Sequence, residues 1–188
     1  MNRKKSEYKI TIGKFLGHLH VVNQHRLKVF CLCARAGFFW RGLVHDLSKY
    51  SPTEFFEGVR YFTGGRSPIY NCKMEHGYSE AWIHHKGRNK HHYEYWYDYA
   101  AKIECPIIPY PYFVEMVCDS LAAGLIYQKD RWTKEYQLSY WLRTRETAKV
   151  HPKMDLLLTK VYTEVSKRGI KEVVNRKYLK HLYEEYTK

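Results

Sequence analysis

Histidine and aspartate are the residues of this sequence best suited to chemistry. Eleven of the 188 residues are histidine. The adjacent pair His45-Asp46 follows an apolar run, and Asp119 lies inside the apolar stretch 113–123. Imidazole and carboxylate form the mixed nitrogen and oxygen ligand set that suits iron, zinc, manganese or nickel. Together these residues predict a metal site.

The carboxylate of Asp119 does not by itself require a metal. A carboxylate on a buried helix face is costly to desolvate unless it is paired or bound to a metal. An ion pair with lysine or arginine would satisfy it, and so would a position on the exposed face of the helix. The presence of His45-Asp46 in the same chain favours its interpretation as a metal ligand.

Four more histidines lie in two adjacent pairs. His84-His85 and His91-His92 flank the turn Lys-Gly-Arg-Asn-Lys. Any one of the four could be a surface histidine. As a group around one turn, they predict a role in binding metal or phosphate.

Helices are the elements that must position these residues. Apolar residues recur with helical spacing over residues 10–36, and Gly37 is expected to end that helix. Ser51-Pro52-Thr53-Glu54 predicts a new start, because serine can cap a helix, proline suits its first turn and glutamate completes a capping box. Since no segment alternates with strand periodicity, the sequence predicts an all-α fold. Further helices are predicted at residues 38–45, 78–86, 91–103, 112–128, 132–149, 152–169 and 170–187.

Charge and cysteine content narrow the expected partners and location. Lysine and arginine number 32 against 19 acidic residues, which gives a formal net charge of +13. This balance favours an anionic partner, such as a phosphate, a nucleic acid or an acidic lipid, and does not choose among them. The five cysteines include no CxxC pair, so neither a disulfide framework nor a zinc knuckle is expected. No apolar run reaches the roughly 18 residues that span a bilayer. The sequence therefore predicts a cytoplasmic protein without a membrane partner.

The stretch Leu43-Val-His45-Asp46-Leu-Ser-Lys49 resembles the signature of the HD-domain superfamily. Members of that superfamily hold a histidine, a His-Asp pair and a final aspartate on a helical bundle. Lys49 matches a lysine often found just after the pair. The resemblance implies an HD-domain-like bundle and assigns as its metal ligands His25, His45, Asp46 and Asp119.

This resemblance covers about residues 15–128. An Ile-Pro pair, Ile108-Pro109, precedes Asp119, as a similar pair does in the HD subfamily named for its Gly-Tyr-Pro motif. Residues 45–96 also resemble a small bacterial and phage family within the superfamily, which implies no particular activity. A length of 188 residues suits one domain. We therefore expect residues 1–188 to form a single domain, with helices from 132–188 packed on the core.

The middle histidines resemble ligands of two-metal HD proteins. Ala81-Trp82-Ile83-His84 is similar to the third-histidine stretch of the HD-type di-iron oxygenases, and His92-Tyr93-Glu94-Tyr95 is similar to their fourth. His91-His92 also resembles the His-His-Glu element of the Gly-Tyr-Pro phosphodiesterases, although Glu94 is displaced by one and no Gly-Tyr-Pro follows. The resemblance thus implies His84 and His92 as further ligands, with His85 and His91 as the alternatives. The expected cofactor is one or two divalent ions of iron, manganese, zinc, nickel or magnesium.

Hydrolysis of a phosphate ester, with a nucleotide as the expected substrate class, is the first function that these residues suggest. Two metal ions can activate a water molecule and hold phosphoryl oxygens. Asp46 and Lys49 are the expected catalytic residues. Positive side chains would neutralise charge that develops on the phosphate. The expected substrate-binding residues are Lys49, His85, Arg88 and His91, with Lys90 as a further cation.

Two other functions use the same residues. An HD-type di-iron oxygenase would hold an iron pair with the same six ligands and bind a carboxylate or phosphonate substrate through the basic residues. Alternatively, the protein could bind a nucleotide or nucleic acid without turning it over. In that case the basic C-terminal helices and the many Tyr and Trp side chains would supply phosphate contacts and stacking.

Overall fold

A computed structural model describes residues 8–188 and confirms the all-α class. This part of the chain forms a bundle of ten α-helices with four short 3-10 segments and no strand. The helices are α1 (Ile12–Arg35), α2 (Phe39–Val44), α3 (Pro52–Tyr61), α4 (Pro68–His76), α5 (Glu80–Arg88), α6 (Tyr110–Gln128), α7 (Tyr136–Thr144), α8 (Pro152–Arg168), α9 (Ile170–Val173) and α10 (Arg176–Thr187). The 3-10 segments are Leu47–Tyr50, Tyr93–Trp96, Lys129–Arg131 and Arg145–Thr147.

The first helix, α1, supplies one wall of the bundle. It begins where the side chain of Thr11 accepts a backbone hydrogen bond from the first turn. Its buried face carries Val22, Val29 and Cys33 at helical spacing. The helix ends just before Gly37, whose φ of 84° allows the chain to reverse, as the sequence predicts.

Helix α6 lies at the centre of the core. Its side chains Phe113, Val117 and Leu121 are fully buried, and burial of each such side chain contributes about 1.5–3 kcal/mol. One apolar cluster extends from Val29 on α1, through α6, to Leu182 on α10. The helices after residue 132 therefore pack on the same core as those before it. Within residues 8–188, no helix is long and apolar enough to cross a bilayer.

The short helix α2 lies directly against α1, and glycine makes this approach possible. A Cβ atom at Gly42 would lie 2.8 Å from the Cβ of Cys33 and 3.0 Å from the Cα of Phe30. Any larger residue would push α2 away from α1. Because α2 ends at Val44, its position on α1 fixes where the next two residues, His45 and Asp46, enter the bundle.

The segment after α5 differs from the expectation for residues 91–103. That prediction of a helix is wrong, since only Tyr93–Trp96 forms a single 3-10 turn and other turns follow. The indole nitrogen of Trp96 donates to the carbonyl of Lys90 at 2.7 Å. Such contacts replace the helical hydrogen bonds and leave His91 and His92 on an irregular backbone.

Several helix boundaries also differ from expectation. Helix α5 passes through Gly87 and ends at Arg88, where the Asn89 side chain donates to the carbonyl of His85. The predicted 170–187 segment is two helices, because the side chain of Asn175 caps a new start at α10. Helix α7 covers only the middle of the predicted 132–149 segment. Helix α4 is not among the predicted elements, since its apolar residues follow no clear helical pattern.

Candidate metal centre

Five parts of the chain meet at one buried cluster of histidine and carboxylate side chains. Helix α1 supplies His25, the turn after α2 supplies His45 and Asp46, and α6 supplies Asp119. Helix α5 supplies His85, and the irregular segment after it supplies His91 and His92. Within the described part of the chain, three groups of donor atoms are compact enough to hold a metal ion. The first is His25, His45, Asp46 and Asp119, the second is Asp46, His85, His91 and His92, and the third is His45, His91 and Glu115.

The spacing between donor atoms of different residues matches a coordination sphere. With bonds of about 2.1 Å, two ligands lie about 3.4 Å apart around a tetrahedral ion and about 3.0 Å apart around an octahedral one. Nε2 of His45 lies 3.4 Å from Oδ2 of Asp46 and 3.4 Å from Oδ1 of Asp119. Nε2 of His85 and Nε2 of His91 each lie 3.4 Å from Oδ1 of Asp46.

Asp46 belongs to the first two groups and faces each with a different oxygen. Oδ2 faces His45 in the first group, whereas Oδ1 faces His85 and His91 in the second. A carboxylate in this position can bridge two ions.

The backbone of Asp46 has a φ of 54°, in the left-handed region that side-chain-bearing residues rarely adopt. Such strain is often found where a functional side chain must be aimed.

The backbone around Asp46 is held by a neighbour of His25. Arg26 donates to the carbonyl of His45 at 2.8 Å and to the carbonyl of Leu43 at 2.9 Å. These bonds satisfy carbonyls at the end of α2 that have no partner within the helix. Arg26 therefore ties the His45-Asp46 turn to α1, which carries His25.

Glu115 orients two of the histidines from behind. Nδ1 of His45 donates to its Oε1 at 2.9 Å, and Nδ1 of His91 lies 3.1 Å from the same oxygen. The other oxygen accepts a bond from Arg41 at 2.9 Å. A proton on Nδ1 leaves Nε2 with a free lone pair, which is the tautomer that binds metal.

Glu54 performs the same task for α5. Its Oε2 accepts a hydrogen bond from Nδ1 of His85 at 2.8 Å, and its Oε1 accepts one from Nδ1 of His84 at 2.7 Å. His85 thus presents Nε2 to Asp46, on the inner face of the helix. His84 is held by the same carboxylate but lies outside the compact donor groups of the described residues.

Four buried atoms of the cluster have no hydrogen-bond partner among the described residues. They are Nε2 of His45, Oδ1 of Asp46, Nε2 of His91 and Nε2 of His92. An unsatisfied buried polar atom costs about 1–3 kcal/mol. Four of them in the two donor groups that share Asp46 are costly unless cations bind there. The residues present therefore fit one or two metal ions.

The carboxylates of the cluster favour their ionised form. Burial opposes ionisation of Asp46, but the neighbouring imidazoles and Lys49 hold its pKa well below its usual range. Burial also opposes ionisation of Asp119, yet the hydrogen bond from His25 and the nearby imidazole of His45 hold its pKa well below the usual range. For Glu115, hydrogen bonds from histidine outweigh burial and lower the pKa to about 2. The centre therefore offers negative oxygen ligands.

The histidines of the cluster differ in the direction in which their pKa is shifted. Burial lowers the pKa of His85, and it lowers the pKa of His92 still further. These rings are neutral at pH 7, as a metal ligand must be. Burial alone would also lower the pKa of His45, but the charges of Asp46 and its neighbouring carboxylates raise it well above the usual range. The carboxylates around His45 thus favour a positive charge at this position.

The structure brings together most of the residues selected from sequence. His25, His45, Asp46, His92 and Asp119 lie in the cluster, and so do both alternatives, His85 and His91. Of the expected substrate-binding residues, His85 and His91 thus lie among the donor atoms.

The expected cations lie around the cluster at different distances. Lys49 is half-buried, and its charge lowers the pKa of both Asp46 and Glu54. Arg88 is exposed and contacts the carbonyl of His84 in its own helix at 3.5 Å. Lys90 lies over the rings of Tyr95 and Tyr112. Lys49 is therefore the cation best placed to act beside Asp46.

Two residues that orient the histidines, Glu115 and Glu54, are not predicted from the sequence. Glu115 precedes Asp119 by one helical turn in the same apolar stretch, and this i, i+4 spacing is a usable signal. The sequence pattern accounts for Glu54 as part of a capping box. Its backbone N–H does bond Ser51 at 3.4 Å, but its side chain binds the two histidines of α5. No local pattern distinguishes these two uses.

Comparison with known proteins gives a family but no activity. Residues 14–164 match the model of a family of unknown function, DUF5662. No curated protein and no solved structure matches significantly. Function is therefore inferred from the geometry of the cluster.

Proposed function

Because the chain belongs to the DUF5662 family, whose function is unknown, we propose from the chemistry of its site that it is a metal-dependent phosphohydrolase. Its substrate would be a phosphate ester, with a nucleotide as the expected class. The observation that carries the proposal is a set of four buried donor atoms without hydrogen-bond partners, one from Asp46 and three from the histidines grouped with it. The resemblance to the HD-domain superfamily supports this proposal. Membership of that superfamily is itself proposed.

The residues that would hold the cofactor form two sets joined by Asp46. His25, His45 and Asp119 would complete one set, and His85, His91 and His92 the other. Divalent ions bound there would polarise phosphoryl oxygens and lower the pKa of a water molecule. Glu115 and Glu54 would keep the imidazole rings in the tautomer that leaves Nε2 free.

The overall reaction adds water across one bond of the ester. The oxygen of water forms a bond to phosphorus, and the bond from phosphorus to the ester oxygen breaks. The released alcohol takes one proton of that water, and inorganic phosphate is the other product. Lys49, beside Asp46, would neutralise the charge of the phosphoryl oxygens as the bond breaks.

The cytoplasm is the proposed location. All five cysteines are unpaired, as expected in a reducing compartment. The net charge of +13 favours an anionic substrate and would raise its local concentration.

The test is metal analysis followed by an assay of phosphate release. Protein purified without added metal would be analysed for bound ions and then assayed against nucleoside phosphates with manganese, nickel, magnesium and zinc. We expect phosphate release that Asp46→Ala abolishes together with metal binding. Asp155→Ala is the matched control, since Asp155 pairs with Arg145 away from the cluster.

Other outcomes of the same test distinguish the alternatives. Two irons per chain with a mixed-valent EPR signal and no phosphate release would favour a di-iron oxygenase. Nucleotide affinity that falls steeply with salt, without turnover, would favour a binding protein. Either result would overturn the hydrolase proposal.

A further inference from the structure

A cleft of about 370 Å³ lies between α1 and α6, the two helices that carry His25 and Asp119 of the metal centre. Its polar lining includes Arg66 and Lys129, and no carboxylate lines it. Apolar side chains line the remainder, among them Phe62 and Ile126. In contrast to the metal centre, which is rich in carboxylates, this cleft combines positive charge with an apolar wall.

The accessible edge of the metal centre is carried by the same two helices as the cleft. His25 and Asp119 are 14% and 18% exposed, whereas His45 and Asp46 are almost fully buried. Val21 lines the cleft one turn before His25, or about 6 Å along the axis of α1. The cleft and the exposed edge of the metal centre therefore lie about one turn apart along α1.

Helix α6 gives a second estimate of the distance between the cleft and the metal centre. Ile126 lines the cleft two turns beyond Asp119, or about 10 Å along the axis. Tyr127 also lines it, and burial raises the pKa of its hydroxyl, with a further rise from the charge of Asp119. The charge of Asp119, a proposed metal ligand, thus affects the pKa of a side chain that lines the cleft.

The two cations of the cleft have no carboxylate partner within residues 8–188. Arg66 lies over the ring of Tyr70, and neither it nor Lys129 forms an ion pair with a described acid. Lys129 has a φ of 52°, and Asp46 is the other described non-glycine residue with positive φ. Strained backbone of this kind is retained where the surrounding structure requires it, often at ligand sites.

From these features we infer that the cleft binds the remote end of the substrate, through an apolar or planar group and a second anionic group. This inference rests on the proposed function for the phosphoryl end. The substrate class is a phosphate ester whose second anion lies on the order of 10 Å from the reacting phosphorus. Arg66 and Lys129 would bind that anion, and the apolar wall would pack on the group between.

The test compares ligands that differ only in the remote anion. The probes are 6-hydroxy-2-naphthoate and 2-naphthol, whose fluorescence is followed during titration with the full chain. We expect the naphthoate to bind about tenfold more tightly, because charge-assisted hydrogen bonds form only with its carboxylate. The double variant Arg66→Ala/Lys129→Gly should lose that preference. Glycine is chosen at 129 because it accepts positive φ without strain.

A control double variant removes the same amount of positive charge from residues that do not line the cleft. Arg143 lies over Tyr140 as Arg66 lies over Tyr70, and Lys102 is exposed as Lys129 is. Arg143→Ala/Lys102→Ala should keep the preference for the naphthoate. Equal affinity for the two probes, or a preference that survives in the cleft variant, would overturn the inference.

A kinetic comparison separates this inference from the proposed function. The two substrates are 2-naphthyl phosphate and the same ester with a carboxylate at position 6. The cleft variant should raise KM about tenfold for the carboxylate ester and leave KM for the plain ester unchanged. Preferential naphthoate binding without hydrolysis of either ester would overturn hydrolysis but keep the cleft. Hydrolysis of both with the same KM would overturn the cleft but keep hydrolysis.

Discussion

The carboxylate of Glu115 lies 2.9 Å from Nδ1 of His45 and turns the opposite nitrogen of that ring towards Asp46. Glu115 comes from the centre of α6, and His45 comes from the turn after α2, so the contact joins two distant parts of the chain. The same oxygen also faces Nδ1 of His91. One buried glutamate thereby sets the direction of a ligand in each of the two donor groups that share Asp46.

Replacement of that carboxylate should weaken metal binding. Glu115→Gln keeps the shape of the side chain but removes its charge and the ion pair with Arg41. We expect a 10- to 100-fold loss of metal affinity, the effect usual for partners that orient a ligand histidine. Calorimetric titration with zinc or manganese would measure it. Glu164→Gln is the control, since Glu164 is a buried carboxylate paired with Lys160 far along the chain, and an equal loss there would contradict the role of Glu115.

The two histidines of α5 should differ in their effect on metal content. His85→Ala removes an Nε2 that faces Asp46, and we expect the number of bound ions per chain to fall or the second ion to bind weakly. His84→Ala should leave metal content unchanged, although it breaks an equally short bond to Glu54. Metal analysis after dialysis would compare the two. Equal losses, or a larger loss for His84→Ala, would refute the assignment of His85.

The backbone of Asp46 should distinguish two substitutions that both remove metal. Asparagine adopts the left-handed conformation more readily than alanine, for which it costs roughly 1–2 kcal/mol. The metal-free Asp46→Asn protein should therefore be more stable than Asp46→Ala by about 1 kcal/mol in urea unfolding. The same pair of substitutions at exposed Asp130, where φ is not positive, should differ less. A reversed order at Asp46 would count against backbone strain there.

Removal of Lys49 should affect turnover and not metal content. Its charge acts on Asp46 and Glu54 without contributing a metal ligand. For Lys49→Ala we expect kcat/KM with phosphate esters to fall about a hundredfold, as is usual when one donor to the transition state is lost. Lys28→Ala removes an exposed lysine of α1 and should change neither quantity. Loss of metal from the Lys49 variant would indicate a structural role instead.

His18 should make stability depend on pH. Burial, with the nearby charge of Lys49, lowers its pKa from 6.5 to about 4. Between these values the unfolded chain takes up a proton that the folded chain does not, so stability falls as pH falls. The full loss is about 3 kcal/mol.

The matched variants isolate this contribution. The unfolding free energy of the wild type relative to His18→Gln should fall by about 3 kcal/mol between pH 7 and pH 4, measured in urea. His181→Gln removes an exposed histidine of α10 and should show no such change relative to the wild type. Parallel pH curves for wild type and His18→Gln would refute the low pKa of His18.

The sequence predicts the helical class and the candidate ligand pair His45-Asp46, because the signals for both are local. Helical spacing, the Ser51-Pro52 start and the stop at Gly37 all act within a few residues, and the structure confirms them. The prediction failed at 91–103, where contacts such as that of Trp96 with Lys90 replace the helix. Such contacts arise only once the chain has folded.

The tertiary structure alone decided which histidines of the two adjacent pairs join the group around Asp46. Adjacent residues on a helix point about 100° apart, so only the packing of α5 against α3 determines that His85 is the one turned inward. His91 and His92 both enter the cluster, because the irregular backbone there does not separate adjacent side chains as a helix does. Glu115 likewise became recognisable as an orienting carboxylate only after α6 had been placed against the turn that carries His45.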